Sequence, residues 1–118
     1  MQKGRRRFRR MTVRVLVDYT GPEGPRFEYA TTLGAGGLFI QTEEPLEKGA
    51  ILLTRFRLSG RKQLHEIPGR VVWVRPPHAT GENHLSPGMG IEFTDPAIRS
   101  QLAQELEQLQ YPEAAEDD

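Results

Sequence analysis

Apolar and polar residues alternate along the first half of the chain with the two-residue period of β-strands. In the first run, apolar positions at Val13, Val15, Val17 and Tyr19 are separated by Arg14, Leu16 and Asp18. Successive side chains of a strand point to opposite faces, so this run predicts a strand with one buried face. Similar runs over 27–33 and 38–42 predict two more strands, and the Gly- and Pro-rich segment 21–25 predicts the turn after the first.

Three further strands are predicted in the second half, after a polar loop at 43–49. They cover 51–58, 64–75 and 89–93, and a loop at 76–87 precedes the last of them. Pro68 and Gly69 interrupt the longest run. Because proline cannot donate to a strand ladder, a bulge or bend is expected there.

A helix is predicted near the C-terminus. Asp95 is a good N-cap residue and Pro96 suits the first helical position. An apolar stripe follows at helical spacing, and Pro112 is expected to end the helix. The stripe consists of Ile98, Leu102, Leu106 and Leu109. The fold class is therefore mostly β, a six-stranded antiparallel β-barrel with a C-terminal α-helix.

Three features of this pattern leave alternatives open. Glycines at 34, 36 and 37 favour a bulge or turn between strands, whether or not a ligand binds, because glycine serves positive φ and close backbone approach. Trp73 stands in an apolar run, which favours the core over an exposed stacking platform. The leucine stripe is expected to pack on the barrel, and the alternative is a partner surface.

Charge is distributed unevenly along a chain of zero net charge. The first fourteen residues carry Lys3, Arg5, Arg6, Arg7, Arg9, Arg10 and Arg14, whereas no Lys or Arg follows Arg99. We therefore expect a basic, flexible N-terminal arm over 1–11, one barrel-plus-helix domain over 12–111 and an acidic tail over 112–118. The arm suits a phosphate or polyanion.

Several kinds of chemistry find no support in the sequence. The chain has no cysteine, and His65, His78 and His84 lack close metal-ligand spacing, so no metal site is predicted. Serine lies in no nucleophile motif and the phosphate-loop signature is absent, so no enzyme is predicted. No apolar run is long enough for a membrane span or a secretory signal, and a cytoplasmic protein is expected.

Three segments together resemble the PilZ domain family. The first is the basic Arg5–Arg10, which matches the family's Arg-x-x-x-Arg motif with Arg6 and Arg10 as the spaced pair. The second, 32–40, matches Asp/Asn-x-Ser-x-x-Gly followed by apolar strand residues, with Thr32 and Gly34 in place of the acid or amide and the serine. The third is 71–75 with the closing Gly-x-Gly-Ile-x-Phe strand, 88–93, and the likeness is greatest to compact single-domain members.

The resemblance implies that the ligand is cyclic di-GMP. In the family, the arginines contact its phosphates and stack on its bases, a role carried here by Arg5, Arg6 and Arg10. A guanidinium suits both tasks, since it is permanently charged, forked and able to stack. The second motif hydrogen-bonds to the ligand, and its site positions here are Thr32, Gly34 and Gly37.

Three hypotheses therefore remain from the sequence. The first is a cyclic di-GMP receptor that changes its contact with an unknown protein partner when the ligand binds. It would be a monomer or a homodimer, and motility is one process that it could regulate. The second is a degenerate PilZ adaptor that binds a protein without nucleotide, which Thr32 and Gly34 favour. The third and weakest is salt-sensitive nucleic-acid binding by the arm, in which Phe8 is the one aromatic residue.

Overall fold

A computed structural model describes residues 10–77 and 86–109 of the 118-residue chain. Within these ranges there are six strands and one helix, and the predicted fold class is confirmed. The strands and helix are β1 (Arg10–Gly21), β2 (Gly24–Gly34), β3 (Gly37–Gln41), β4 (Ile51–Arg57), β5 (Leu64–Arg75), β6 (Gly88–Phe93) and α1 (Pro96–Leu109).

The six strands form one closed barrel in the order β1-β2-β3-β6-β5-β4. Every neighbouring pair is antiparallel. β1 closes the barrel on β4, with Asp18 opposite Arg55 and Tyr19 opposite Thr54. Closure pairs the strand edges with one another, so a ligand or partner meets the outer faces and the ends of the barrel.

Alternate side chains of the strands fill the barrel. In β1, Val15, Val17 and Tyr19 are buried while Leu16 faces outwards. In β6, the residues that enter the same core are Met89, Ile91 and Phe93. The two-residue period predicted from the sequence is thus the period of burial.

Helix α1 packs on this barrel and begins where predicted. The Asp95 Oδ1 accepts hydrogen bonds from the backbone N–H groups of Ala97, at 2.9 Å, and Ile98, at 3.2 Å. These bonds satisfy two of the donors that a helix start leaves free. Leu102 is 1% exposed and Leu106 is partly buried against the same core. The part of the stripe with described side chains, from Ile98 to Leu106, is therefore a packing face.

The start of β1 and the irregularity within β5 differ from the expected ones. β1 begins at Arg10, so Arg10 and Met11 already pair as strand residues. Of the bulge or bend predicted at 68–69, the bulge is wrong, because β5 pairs there without a register shift. Gly69 serves packing instead, since a Cβ would lie 2.5 Å from Ile91 Cγ2. The irregularity of β5 lies between Val71 and Trp73, where it pairs with β6.

Candidate ligand-binding site

The pairing of β1 with β2 brings the two sequence motifs side by side. Arg10 lies opposite Gly34, and Thr12 lies opposite Thr32. Gly34 in turn lies opposite Gly37 across the turn to β3. Directly opposed residues of antiparallel strands are about 5 Å apart at Cα, so all four candidate positions in the described ranges converge. Arg5 and Arg6 lie outside the described residues.

Register irregularities flank this meeting point on both sides of β2. The β1–β2 register shifts between Thr12 and Val15, and the β2–β3 register shifts between Ala30 and Thr32. A bulge of this kind re-aims side chains and increases the local twist, and bulges are frequent beside binding sites. The pair Thr12–Thr32 therefore lies in a locally distorted part of the barrel wall.

One register row crosses five strands at this level of the barrel. It consists of Thr12, Thr32, Phe39, Gly90 and Trp73. The adjacent row, which includes Leu33, Leu38 and Ile91, is buried in the core. Because neighbouring rows of a sheet face opposite sides, the row that contains Thr32 lies on the outer face.

Two aromatic rings form a platform in this outer row. The rings of Phe39 and Trp73 stack with centroids 5.2 Å apart and an interplanar angle of 22°. Trp73 is 44% exposed and partly covers Phe39, which is 7% exposed. The Arg75 guanidinium lies 4.8 Å from the Phe39 centroid and 5.5 Å from the Trp73 centroid. Its Nε donates to the Ser86 carbonyl at 2.7 Å, which fixes a positive charge beside the rings.

The closing Gly-x-Gly motif makes room for both rings. A Cβ at Gly90 would lie 2.1 Å from Trp73 Nε1, and a Cβ at Gly88 would lie 2.4 Å from Phe39 Cζ. Any side chain at either position would displace a ring, because real Cβ contacts do not come so close. The two glycines are thus required by the platform.

The expectation that Trp73 belongs to the core is wrong. Val71 is 1% exposed and faces inwards, and an unbroken strand would place Trp73, two residues on, on that same face. The shift between these two residues adds one residue to β5 and turns Trp73 outwards. Val74 then packs against the core. An apolar run does not show this change of face.

The motif glycine at 37 serves close approach. A Cβ at Gly37 would lie 2.0 Å from the Ile91 carbonyl oxygen, and the neighbouring Gly36 carbonyl accepts the Phe93 N–H at 2.9 Å. Within the described ranges the positive-φ glycines are in other turns, at Gly24, Gly49 and Gly60. Gly37 therefore lets β3 and β6 lie close together beneath the candidate site.

A second polar group, distant from this site, fastens the first half of β2. The Tyr19 hydroxyl donates to Glu28 Oε1, and the Thr42 hydroxyl donates to Glu28 Oε2 at 2.8 Å. Arg26 donates to Thr42 Oγ1 at 3.0 Å and to the Glu44 carbonyl at 2.6 Å. Burial, and then the hydrogen bond to Glu28, raise the pKa of Tyr19. We call Tyr19, Arg26, Glu28 and Thr42 the polar clasp.

Buried His65 packs between the barrel core and helix α1. Its ring stacks on Phe56 with centroids 5.4 Å apart, and its Nε2 lies 3.3 Å from Glu105 Oε1 of α1, without hydrogen-bond alignment. Residues 10–77 and 86–109 contain no group of three potential ligands that could hold a metal ion. His78 and His84 are outside those ranges. No helix in them has the length and apolar character to cross a membrane.

Comparison with protein families gives a match over nearly the whole chain. The model described as PilZ domain matches residues 4–110. No curated protein matches the sequence significantly.

Solved structures with the same fold include proteins of two bacteria. The inhibitor of motility of Bacillus subtilis (MotI/DgrA) superposes with a TM-score of 0.68 and 18% identity, covering 93% of this chain and 52% of that one. YcgR of Escherichia coli, crystallised with c-di-GMP, gives 0.66 and 17%, covering 96% and 49%. Its PilZ domain with c-di-GMP gives 0.66 and 15%, covering 94% and 98%. This chain thus spans about half of MotI and of the longer YcgR chain.

Proposed function

This chain belongs to the PilZ domain family, and we propose that it is a receptor for cyclic di-GMP that signals through a ligand-induced change in its contact with a protein partner. PilZ domains are regulatory binding domains, and two of the similar structures contain c-di-GMP. The observation that carries the proposal is the β1–β2 register, which sets Arg10 beside Gly34 and Thr12 beside Thr32.

The proposed ligand lies on the outer face of β1, β2 and β3, over Thr32, Gly34 and Gly37. Arg10 enters β1 at this level, and the arm before it carries Arg5 and Arg6. Phosphate oxygens accept paired hydrogen bonds from a guanidinium, and a base stacks on its plane. The arm would therefore close over the nucleotide from one side while the barrel wall supports the other.

Two losses in the second motif weaken this site. Thr32 offers a hydroxyl where the family has a carboxylate or amide, and Gly34 has no side chain where the family has serine. Two hydrogen bonds at about 1 kcal/mol each, more where one was charged, correspond to roughly one to three orders of magnitude in affinity.

The exposed face of Trp73 offers a gain of similar size. It lies in the same outer row as Thr32, with Phe39 and Gly90 between them, and its ring reaches across Gly90 to stack on Phe39. Base stacking on an aromatic side chain contributes about 1–3 kcal/mol. Here the ring packs against Gly90 and lies beside the Arg75 guanidinium. We therefore propose Trp73 as an additional base-stacking residue that offsets the weakened motif.

Calorimetric titration of the full chain with cyclic di-GMP tests the receptor proposal. We expect saturable binding that GTP does not reproduce and that Arg6→Ala plus Arg10→Ala abolishes. As a control, Arg61→Ala plus Lys62→Ala also removes two positive charges, but from the exposed β4–β5 turn, and should leave binding intact. Binding that both pairs of substitutions weaken equally, and that about half-molar salt removes, would indicate a non-specific polyanion site.

A degenerate adaptor is the second candidate function. The replacements at Thr32 and Gly34 favour it. In that case the parent chain takes up no cyclic di-GMP at high ligand concentration, whereas restoring Asp and Ser at these positions creates binding. Capture of the same protein partner with and without nucleotide would then identify the adaptor.

A further inference from the structure

Three large apolar side chains share the outer face of β1 and β2, beyond the candidate site. Leu16 is 49% exposed, Tyr29 is 39% exposed and Phe27 is 62% exposed. They are adjacent, because Leu16 lies opposite Tyr29 and Phe27 lies opposite Asp18. We call these three the outer apolar patch.

Folding of the barrel does not use this patch. On either side of Leu16, the inward-facing Val15 and Val17 already supply core contacts of β1. Contiguous exposed apolar groups mark interaction surfaces in soluble proteins, whereas scattered ones carry no such meaning. The patch therefore has the character of a surface that another molecule covers.

Charges at the two ends of the patch indicate which molecule. Along β1 the outward residues are Arg14, Leu16 and Asp18, a basic, an apolar and an acidic position two residues apart. Arg14 lies over the Tyr29 ring, 4.1 Å from its centroid. Asp18 is 3.7 Å from Arg55, its side chain 33% exposed. Arg55 also pairs with Glu66 at 3.0 Å. Because a third of the Asp18 side chain is exposed, part of its carboxylate is accessible.

This pattern is its own complement, and we propose that a second copy of the chain covers the patch. A two-fold axis lying between the two faces and perpendicular to β1 reverses the strand direction. It sets Leu16 against Leu16 of the second copy, and Arg14 against Asp18 of that copy, twice per dimer. Such an isologous contact is the commonest arrangement of soluble homo-oligomers, and face-to-face sheets about 10 Å apart allow these side chains to meet.

The proposed dimer is a weak one. A standard interface covers roughly 800 Å² per partner, about a tenth of the 7640 Å² surface of this chain. Three apolar side chains and two charges are a small centre for such an area. We expect a dissociation constant in the micromolar range, and dimerisation that weakens with salt.

Sedimentation equilibrium of the full chain over ~5–500 µM tests the proposal by charge exchange. Arg14→Asp alone and Asp18→Arg alone each place like charges together twice, and each should weaken the dimer more than about tenfold. Arg14→Asp combined with Asp18→Arg restores opposite charges and should restore dimerisation to within about threefold. Ile51→Ser is the matched control, because Ile51 is 69% exposed on β4, away from the patch.

Circular dichroism and thermal unfolding establish that each variant is folded. A parent chain that stays monomeric at the highest concentration would overturn the proposal. So would a dimer that is indifferent to both single substitutions, since it must use another face, or folded variants in which the double exchange fails to rescue. If a monomeric parent retains a different protein through the patch, the occupant is heterologous and the two-fold contact is wrong.

Discussion

The two halves of β2 treat polar chemistry in opposite ways. In the first half, Glu28 is held by Tyr19 and Thr42 inside the polar clasp, and Arg26 lies 3.7 Å from it. In the last three residues, the positions at which the family has polar side chains are occupied by Thr32 and Gly34. Polar groups satisfied within the fold stabilise it, whereas a site keeps its polar groups for a ligand.

The glycines that shape the site are present, although two of the family's polar residues are replaced. Gly37 still permits close approach to the Ile91 carbonyl, and Gly88 and Gly90 still seat the two rings. Removing those glycines would damage packing, so they are retained by the fold itself.

At Thr32 and Gly34 the family's acid or amide and its serine are replaced. The strand pairing is continuous there, with Thr32 opposite Thr12 and Gly34 opposite Arg10. Substitutions at Thr32 and Gly34 should therefore change affinity, whereas substitutions at the close-packed glycines should change stability.

The largest expected effect comes from restoring the second motif. Thr32→Asp plus Gly34→Ser should raise cyclic di-GMP affinity by roughly 10- to 1000-fold, because two hydrogen bonds are regained. The positive-φ glycines of the described ranges lie elsewhere and Gly34 is a strand residue, so its backbone conformation is compatible with serine. Calorimetry measures the gain, and Thr20→Asp, at an exposed site on the other end of β1, is the control for added charge. An unchanged affinity would mean that these positions do not face the ligand.

Removal of the exposed ring should have the next largest effect on binding. Trp73→Ala should weaken cyclic di-GMP binding by roughly 5- to 150-fold, the equivalent of about 1–3 kcal/mol of base stacking. Trp73→Phe keeps a stacking face and should recover most of the loss. Equal affinity for all three chains would remove Trp73 from the site. Calorimetric titration again gives the values.

Breaking the polar clasp should act on stability alone. In Glu28→Gln the amide N–H group faces one of two hydroxyl donors, from Tyr19 or Thr42, so a partly buried hydrogen bond loses its acceptor. We expect the free energy of unfolding in urea to fall by about 1–3 kcal/mol, with nucleotide affinity unchanged. A parallel loss of affinity would show that the two halves of β2 are coupled.

The smallest effect is a pH dependence at the alkaline end. The raised pKa of Tyr19 in the folded chain means that the unfolded chain releases this proton first. Stability is therefore fully present below about pH 10 and falls as pH rises above it, by about 1.4 kcal/mol per unit from one group. Tyr19→Phe should flatten this fall in urea titrations between about pH 9 and 11. An identical slope in the variant would contradict the assignment.

Much of the fold follows from local patterns in the sequence. The strand period, the Asp95–Pro96 helix start and the leucine stripe each depend on neighbouring residues, and all three are confirmed. The position of the β5 irregularity does not follow, because it is set by pairing with β6. The sequence predicts a bulge or bend at Gly69, yet this glycine is needed because a Cβ there would collide with the Ile91 side chain on β6.

The candidate site is less accessible to prediction for the same reason. The Arg and Gly motifs are visible in sequence, but their convergence depends on the register of Arg10 with Gly34. The apolar run that contains Val71 and Val74 predicts a core position for Trp73, and the register shift between β5 and β6 reverses its face. Residue type alone does not specify such long-range register.

Amide and indole NMR shifts would locate cyclic di-GMP on the barrel. We expect changes at the backbone amides of 10–12 and 32–37 and at the Trp73 indole N–H. Those of Thr42 and Glu44, in and beside the polar clasp, should stay still. Shifts centred on the clasp, or no shifts at millimolar ligand, would contradict a nucleotide site where the two motifs meet.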